Sequence, residues 1–339
     1  MQYETNPKFA ENYQIKEEVL SDAVRRISYK NENGSGSMCL LKVYPGVQIW
    51  TIDFHMKCAE MQPMEDCRFL KLNYCLSGRC EVRLSKDRYV YMSSGLLSVD
   101  MNAPVGRMNL PSGGYEGLEI IIDLEQVKLQ YPAAWSECGI HLEETDRLMV
   151  QMQGSYLAKV SSGWDQMARK LASHVRKADA SLADYRFWLL WLMWTLKSRQ
   201  ETSTAADSVF LSPGQRAVAM RIEERITKDL RHRYRITDLA FEEGISAASL
   251  KKHFAQIYGK PISEYLKECR VEKAKELLTA GSMSISDVAG EVGYENQGKF
   301  GAMFRRETGA TPLEYRRLHS SKSERKAEYY EKTIGRKKW

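Results

Sequence analysis

ITDLAFEEGISAASLKKHFAQIYGKPISEYLK (236–267) and ISDVAGEVGYENQGKFGAMFRRETGATPLEYRR (285–317) are two copies of one pattern near the C-terminus. Asp238 corresponds to Asp287 at an offset of 49 residues, and Phe254 corresponds to Phe304 at an offset of 50. The offset changes just after Gly244, where a turn accommodates one inserted residue. The repeat therefore predicts two similar compact units, and two similar docking surfaces, in one domain.

Each copy predicts a helix-turn-helix. In the first copy, the spacing of Ile236, Leu239 and Ala240 predicts a short helix with one buried face. The glycine that follows suits a left-handed helix end. Ser246 and Asn296 then stand where an N-cap opens the second helix of each copy.

The second helix of each copy has an apolar face and a polar, basic face. Its apolar positions are Leu250, Phe254 and Ile257 in the first copy and Phe300, Met303 and Phe304 in the second. This layout is typical of a helix that packs with one side and enters a DNA major groove with the other. A helical repeat for protein binding is the alternative, and the basic residues of both copies favour DNA.

The segments GYENQGKF (293–300) and FRRETGATPLEYR (304–316) resemble the signature of the AraC/XylS family of transcription regulators. The resemblance covers 212–318, about a third of the chain. It implies seven helices, with two helix-turn-helix units joined by a long helix at 261–280 and a first helix at 216–230. It also implies binding to double-stranded promoter DNA, and contact with RNA polymerase if the protein is an activator.

The resemblance also places the DNA-contacting residues on the exposed face of each second helix. They are Ala248, Lys251, Lys252 and Gln256 in the first copy and Gln297, Gly298, Lys299, Ala302, Arg305 and Arg306 in the second. Lysine pairs with guanine and glutamine with adenine, and alanine meets the thymine methyl group. Arg305 and Arg306 lie further along and suit phosphates. Gly298 and Ala302 reach little, so we expect limited base readout from the second copy. Solvated surface lysines are the alternative for Lys251 and Lys252.

Charge is distributed unevenly along the chain. Residues 212–339 hold 26 Lys and Arg against 18 Asp and Glu, whereas residues 1–211 hold 24 against 26. A basic module beside a nearly neutral one is typical of a polyanion-binding domain attached to another function. The tail 320–339 holds seven basic and three acidic residues, which suits either phosphate contact or a solvated terminus.

The region 38–123 predicts short antiparallel strands separated by turn residues. They are MCLLKVYP, VQIWTIDFHM, FLKLNYCLSG, RCEVRLSKD, RYVYMSSG, LLSVDM and GLEIIIDL. Regular spacing indicates a barrel or sandwich. The segments LNYCLSGRCEV (72–82) and YEGLEIIIDL (115–124) resemble the cupin-like sensor of AraC-type regulators, which implies a small-molecule effector in this part.

Aromatic residues on these strands are candidates for the effector site, and we select Trp50, His55, Tyr74 and Tyr91. The alternative is that such side chains form the barrel core. The segments QGKFGAMFRRETG (297–309) and LNYCLSGRCE (72–81) also resemble siderophore-responsive members of the family, which makes a siderophore-like effector one candidate.

Catalysis, metal binding and cofactor binding are not expected. His55 is the one histidine between residues 38 and 123, whereas metal-dependent cupin sites need several. The chain has no GxSxG, Walker or strand-preceded GxGxxG motif. Its seven cysteines are an odd number with no zinc spacing, which indicates reduced thiols.

The run FWLLWLMWTL (187–196) is about half the length that a membrane helix needs. It predicts a helix that is buried in the core or lies at an interface, and the resemblance implies a homodimer formed through such helices. The polar start of the chain predicts a cytoplasmic protein.

The predicted fold class is α+β multidomain: an N-terminal cupin-like antiparallel β-barrel with following helices, and a C-terminal all-α domain. We expect a sensor barrel with an N-terminal arm at 1–125 and its helical part at 126–200. A linker follows at 201–211, then the DNA-binding domain at 212–319 and the basic tail at 320–339.

Overall fold

The computed structural model describes residues 13–60, 68–85, 88–101, 107–143, 155–198, 202–204 and 210–319. The chain divides into two compact units, and the main division falls between Pro213 and Gly214. The expected N-terminal arm before residue 13 and the basic tail 320–339 lie outside the described residues.

The first unit is built mainly from strands. Strands β1 to β13 are Gln14–Val19, Val24–Asn31, Gly34–Tyr44, Val47–Met56, Cys58–Glu60, Phe69–Ser85, Arg88–Ser93, Leu96–Met101, Arg107–Asn109, Tyr115–Asp123, Ser155–Val160, Thr202–Thr204 and Phe210–Leu211. Its helices α1 to α4 are Leu124–Leu129, Ala133–Glu137, Ser162–Lys177 and Leu182–Ser198.

The strands pair antiparallel throughout, in the order β1-β2-β3-β4-β10-β6-β8-β11-β12. The long strand β6 also pairs with β7 through its second half, and β7 pairs with β13. A separate two-stranded sheet joins β5 to β9. The expectation of an antiparallel sheet is confirmed. The described strands form an open path that ends at β1 and β12, so they do not close into the expected barrel.

The main sheet is covered on both faces, because side chains alternate between two apolar clusters. One face carries Ile49, Leu72 and Ile120, which pack with Trp135 of α2, Trp164 of α3 and the buried side of α4. The other face carries Trp50, Ile52, Cys75 and Ile121, which pack with residues of β2, β3 and β7. Burial of both faces makes the sheet the core of this unit.

Four segments differ from the sequence predictions. The runs FLKLNYCLSG and RCEVRLSKD were predicted as separate strands, but they form the single strand β6. Strands β1 and β2 extend the sheet before residue 38, where no strand was expected, because their sequences QIKEEV and VRRISYKN are largely polar. The segment 126–200 was predicted to be helical, and this is wrong for Ser155–Val160, which forms β11 along the open edge of β8. The expected linker 201–211 contains β12 and β13, which pair with β11 and β7.

The second unit is all helical. Helices α5 to α11 are Pro213–Lys228, Ile236–Glu242, Ala247–Tyr258, Ile262–Ala280, Ile285–Glu291, Gln297–Thr308 and Pro312–His319. The two helix-turn-helix pairs are α6–α7 and α9–α10, and the 19-residue helix α8 joins them. Pro261 precedes α8 and Gly281 ends it in the left-handed conformation. This arrangement confirms the expected helical region with its helix-turn-helix pairs.

A continuous apolar core holds the second helix-turn-helix to the end of α8. It contains Val271, Ala274 and Leu278 of α8 together with Val288 of α9 and Phe304 of α10. Apolar burial of this kind is the main force that keeps short helices folded. In the described part of the chain, no helix is long and apolar enough to cross a membrane.

Candidate nucleic-acid interface

The turns of the two helix-turn-helix pairs have the same construction. Gly244 and Gly293 have φ values of +66° and +79°, which favour glycine. The backbone N–H of Ser249 donates to Ser246 Oγ at 3.1 Å, and the N–H of Lys299 donates to Asn296 Oδ1 at 3.0 Å. Both second helices therefore begin with a side-chain N-cap, as the sequence predicted.

The second helices also pack in the same way. The rings of Phe254 and Tyr265 meet edge to face, with centroids 5.4 Å apart at 80°. The equivalent pair in the second copy, Phe304 and Tyr315, has centroids 5.4 Å apart at 84°. Since each phenylalanine is fully buried, this contact sets which side of the second helix faces the core.

The opposite side of each second helix is open to solvent. Nine of the ten predicted DNA-contacting residues are exposed, namely Ala248, Lys251, Lys252, Gln297, Gly298, Lys299, Ala302, Arg305 and Arg306. The tenth, Gln256, is half-buried near the end of α7. The structure thus places three predicted residues on one helix face of α7 and six along α10.

Many arginines elsewhere in this unit are held by carboxylates. Arg221 pairs with Glu243, Arg225 with Glu242 and Arg231 with Glu291. Among the described residues, Lys251, Lys252 and Lys299 make no such ion pair. Unpaired lysines are available to a polyanion without first breaking an internal contact.

Arg306 differs from Arg305 in its surroundings. Arg306 Nε donates to Glu307 Oε1 at 3.1 Å, and Lys267 Nζ lies 3.0 Å from the same oxygen. Hydrogen bonds from Lys267 and Arg306 lower the pKa of Glu307 below its usual range. Phosphate binding by Arg306 would therefore compete with Glu307. Among the described residues, Arg305 makes no ion pair with a carboxylate, although its charge helps to lower the pKa of Glu314.

Arg270 of α8 fixes the second turn against the first part of the unit. Its Nε donates to Leu230 O at 3.0 Å and its Nη2 donates to His232 O at 3.0 Å. Its guanidinium also lies over the Tyr294 ring, 5.7 Å from the centroid. Sequence reasoning did not identify Arg270, because it lies on the joining helix and outside the pattern of repeated residues.

A helix-turn-helix domain model matches residues 239–318. The activator RhaR of Escherichia coli K12 is 35% identical over 98 residues, which cover 29% of this chain and 35% of RhaR. The same identity and coverage are found with RhaR of Shigella flexneri serotype 5b. The C-terminal domain belongs to the AraC family. Since the chain spans about a third of the length of these relatives, the match concerns this AraC-type domain and not the first unit.

Solved structures are also similar to parts of this chain. A DNA-binding transcriptional dual regulator from Escherichia coli K-12 is 29% identical and covers 34% of this chain and 97% of its own, with a TM-score of 0.28. ToxT from Vibrio cholerae O395 is 11% identical and covers 81% of this chain and 99% of its own, also with a TM-score of 0.28. At these scores neither structure carries a conclusion about the first unit.

The four predicted effector residues of the first unit do not share one cavity. Trp50 is buried on the sheet face that the helices do not cover, and its Nε1 donates to Gln48 Oε1 at 2.9 Å. Tyr74 lies on the opposite face, where its hydroxyl donates to Asp165 and its ring meets Trp164 at 4.8 Å. Tyr91 is buried and donates to Glu81.

His55 lies apart from these three residues. Its side chain is 74% exposed, and its Nδ1 is 3.5 Å from Asp53 Oδ1. It lines a groove of about 470 Å³ with Asp53, Lys16 and Lys30. Within the described ranges, no group of His, Cys, Asp and Glu side chains is arranged to hold a metal ion.

Proposed function

We propose that this protein is a sequence-specific transcription regulator that binds double-stranded promoter DNA through α7 and α10. The observation that carries this proposal is a pair of capped helices whose buried faces match and whose opposite faces expose unpaired lysines. Helix α8 between them has 19 residues, or about 28 Å at about 1.5 Å per residue. This length approaches one turn of DNA, about 34 Å, so successive major-groove segments are within reach.

The two helices have unequal roles in this proposal. Helix α7 offers Lys251 and Lys252 for base contacts, together with Ala248 and Gln256. Helix α10 offers Gln297 and Lys299 beside Gly298 and Ala302, and its Arg305 and Arg306 neutralise phosphates. Short side chains make few base contacts, so α7 supplies more of the sequence discrimination and α10 more of the general affinity.

Footprinting over the promoter region next to the gene tests the proposal. We expect a protected site at low salt, and we expect protection to weaken as salt increases because bound phosphates displace counterions. A double Lys251→Ala, Lys252→Ala variant should lose the site, whereas Lys273→Ala on the exposed side of α8 should keep it. Absence of a protected site at low salt with folded protein would contradict DNA binding.

We further propose that residues 1–200 form a sensor related to the cupin-like domains of AraC-type regulators, with most of its sheet in 1–125 and its helices, together with strand β11, in 126–200. A siderophore-like compound is one candidate effector. A ligand shifts the equilibrium only if it binds the DNA-competent and incompetent arrangements with different affinity. If the outcome is activation, RNA polymerase is the expected partner.

Two alternatives to an effector-controlled, DNA-binding regulator predict different experimental results. A ligand-independent regulator would have a filled sheet interior, and no small molecule would raise its melting temperature. A protein-binding anti-regulator would keep the helix-turn-helix fold and lose DNA affinity. Thermal-shift screening tests the first alternative, and the footprint described above tests the second.

We also propose a homodimer formed through α4. The helix buries Trp188, Leu189 and Leu192 in the core, while Phe187 is 62% exposed and Trp194 is 41% exposed. Phe187 and Trp194 lie on one stripe at helical spacing, together with Leu190 and Trp191, which are half-buried and also pack against the core. Large exposed aromatic residues on one stripe are typical of an interface core.

A further inference from the structure

A group of charged and polar side chains lies inside the first unit, on the sheet face that the helices do not cover. Lys71 of β6 pairs across the sheet with Asp100 of β8, and Asn73 pairs with Ser98 and with Glu119 of β10. Alternation along each strand places these five side chains on the same face as the apolar residues Phe69, Cys75 and Ile121. We call Lys71, Asp100 and Glu119 the charged cluster.

The charged cluster is almost completely removed from solvent. Glu119 is 3% exposed and Asp100 is 2% exposed. The Lys71 side chain keeps 17% of its surface exposed, but burial is the largest single influence on the pKa of its ammonium group. The three charged groups of the cluster are therefore enclosed in the protein.

One carboxylate oxygen in the cluster lacks a hydrogen bond. The Lys71 Nζ atom is 3.6 Å from Glu119 Oε1, which is too long for a hydrogen bond. Within the described residues, this buried oxygen accepts no hydrogen bond from any donor. The Asp100 carboxylate, by contrast, accepts a hydrogen bond from Ser98 Oγ at 2.7 Å. A buried acceptor without a donor costs free energy, and a ligand that supplies the donor recovers it.

Lys71 stays protonated beside the two carboxylates. Burial lowers the pKa of Lys71, but the charges of Glu119 and Asp100 outweigh burial and hold the pKa above its ordinary value. The ammonium therefore stays charged and faces both carboxylates. One cation shared between two anions leaves negative potential beside Glu119.

An aromatic ring stands next to the same carboxylate. Trp50 of β4 is the strand partner of Glu119, which brings the two side chains side by side on one face. Tyr115 donates to Asn73 Oδ1 at 2.8 Å, and its ring lies over Gly117, where a Cβ atom would be only 2.7 Å from the ring. Tryptophan is the best aromatic partner for an organic cation.

We propose that the charged cluster, with Trp50, is a binding site for a small organic cation whose primary ammonium group donates to Glu119 Oε1. The inference rests on the proposed sensor function, in which this cation is the effector. An anion would be repelled by the two carboxylates. A neutral alcohol would supply one donor but would leave the negative potential unchanged, so it should bind less well.

Thermal unfolding of the full chain tests this inference with matched probes. Putrescine and tyramine carry primary ammonium groups, 1,4-butanediol and tyrosol are their neutral counterparts, and succinate is an anion of similar size. We expect at least one amine to raise the melting temperature by roughly 5–10 °C at about 100-fold above its Kd. We expect the neutral counterparts and succinate to have no comparable effect.

Two variants of strand β10 test whether the amine that raises the melting temperature binds at Glu119. Glu119→Gln should abolish the amine shift, and the melting temperature without ligand should change little because Asp100 still balances the charge of Lys71 and one of two buried carboxylates is removed. Glu116→Gln changes a carboxylate that contacts the helices on the other face, where it accepts from Arg176 at 2.8 Å. This control should lower the melting temperature and keep the amine shift.

Several outcomes would overturn the inference. Equal shifts from the alcohols would exclude recognition of charge, and an amine shift that survives in Glu119→Gln would place the site elsewhere. A loss of stability in Glu119→Gln, together with no shift by any amine in the wild type, would show an ion pair that only supports the fold. The comparison of amines with alcohols in the wild-type protein decides the ligand class even if Glu119→Gln does not fold.

DNA binding by the same preparations separates this inference from the proposed function. If the wild type binds its promoter and responds to a neutral or anionic compound instead, the cation site is wrong and the regulator stands. If it binds no promoter DNA with or without amine, the proposed function is wrong, whatever the thermal shift.

Discussion

The turn glycines show how one residue type serves the same geometry in two different surroundings. Gly244 and Gly293 both have positive φ values. A Cβ atom on Gly244 would meet nothing within 4 Å, whereas on Gly293 it would lie 2.5 Å from Leu230 O and 2.8 Å from Arg270 Nη2. The second turn therefore carries a packing constraint as well as a conformational one.

We expect Gly293→Ala to destabilise the DNA-binding domain more than Gly244→Ala. Both variants place a Cβ in the left-handed region, at a cost of about 1 kcal/mol. Gly293→Ala also displaces the backbone carbonyl of Leu230, which adds about 1–3 kcal/mol. Urea unfolding of the two variants measures the difference. Equal free energies of unfolding would show that the contact with Leu230 has no energetic effect.

Lys252 and Arg305 should contribute differently to DNA binding. Lys252 lies on the exposed face of α7, so Lys252→Ala should weaken binding to the specific site by about 1–3 kcal/mol and relax its sequence preference. Arg305 lies in the last turn of α10, so Arg305→Ala should weaken binding to all sequences and reduce the salt dependence by about one charge.

Titrations with the specific site and with unrelated DNA, each at several salt concentrations, distinguish these two effects. Lys273→Ala is the charge-matched control, because Lys273 pairs with Glu276 on α8. Equal losses for Lys252→Ala and Arg305→Ala on both DNAs would contradict the division of roles.

At the scale of elements, polar contacts fix helix α3 to the sheet. Arg176 Nη1 donates to Glu116 Oε2 at 2.8 Å, Arg169 donates to Leu76 O at 2.8 Å, and the Tyr74 hydroxyl donates to Asp165. Burial raises the pKa of Glu116, but hydrogen bonds from Arg176 and Ser77 outweigh it and lower the pKa below its ordinary value. Asp165 has a lowered pKa for a similar reason, with Arg169 and Tyr74 as its donors.

These lowered pKa values predict acid sensitivity of the first unit. Their stabilisation is complete above the unfolded-state pKa values, about 4, and is lost as pH falls through the lower folded-state values. We expect Glu116→Gln to cost about 1 kcal/mol at pH 7, a modest value because the pair is partly exposed and screened. Its difference from wild type should shrink below about pH 4 in urea unfolding. A difference that grows on acidification would contradict the assigned protonation.

Strands could be predicted from the sequence where the pattern of apolar residues matches the burial of the strand. Strands β4 and β10 were predicted because β-branched and aromatic residues are frequent in them. Strand β6 was predicted as two strands, because Gly78 in its middle reads as a turn residue. Strand β1 was missed because QIKEEV is polar and lies at a sheet edge. The alternation in LKLNYC predicted a strand correctly, but alternation alone does not show that Lys71 and Asn73 face a second buried layer.

At the scale of the whole molecule, the repeat made one functional region predictable and left the other open. Equivalent residues in two copies identify the turns, the caps and the buried phenylalanines, so the exposed faces of α7 and α10 follow. No repeat exists for the first unit, and its aromatic residues are distributed among both sheet faces and a surface groove. Which of them share a site depends on strand order, and strand order is set by contacts far apart in the sequence.

The exposed stripe on α4 should make the protein dimeric. We expect wild-type protein to have about twice the chain mass of 39.0 kDa in solution, and Trp194→Glu to be monomeric because a buried unpaired charge opposes association. Leu129→Glu is the control, since Leu129 is 84% exposed on α1. Light scattering measures the mass. In a DNA titration with a promoter that has two half-sites, the affinity of the monomeric variant should be at least tenfold (~1.4 kcal/mol) lower than that of the wild type. A monomeric wild type, or a dimer that tolerates Trp194→Glu, would exclude α4 as the interface.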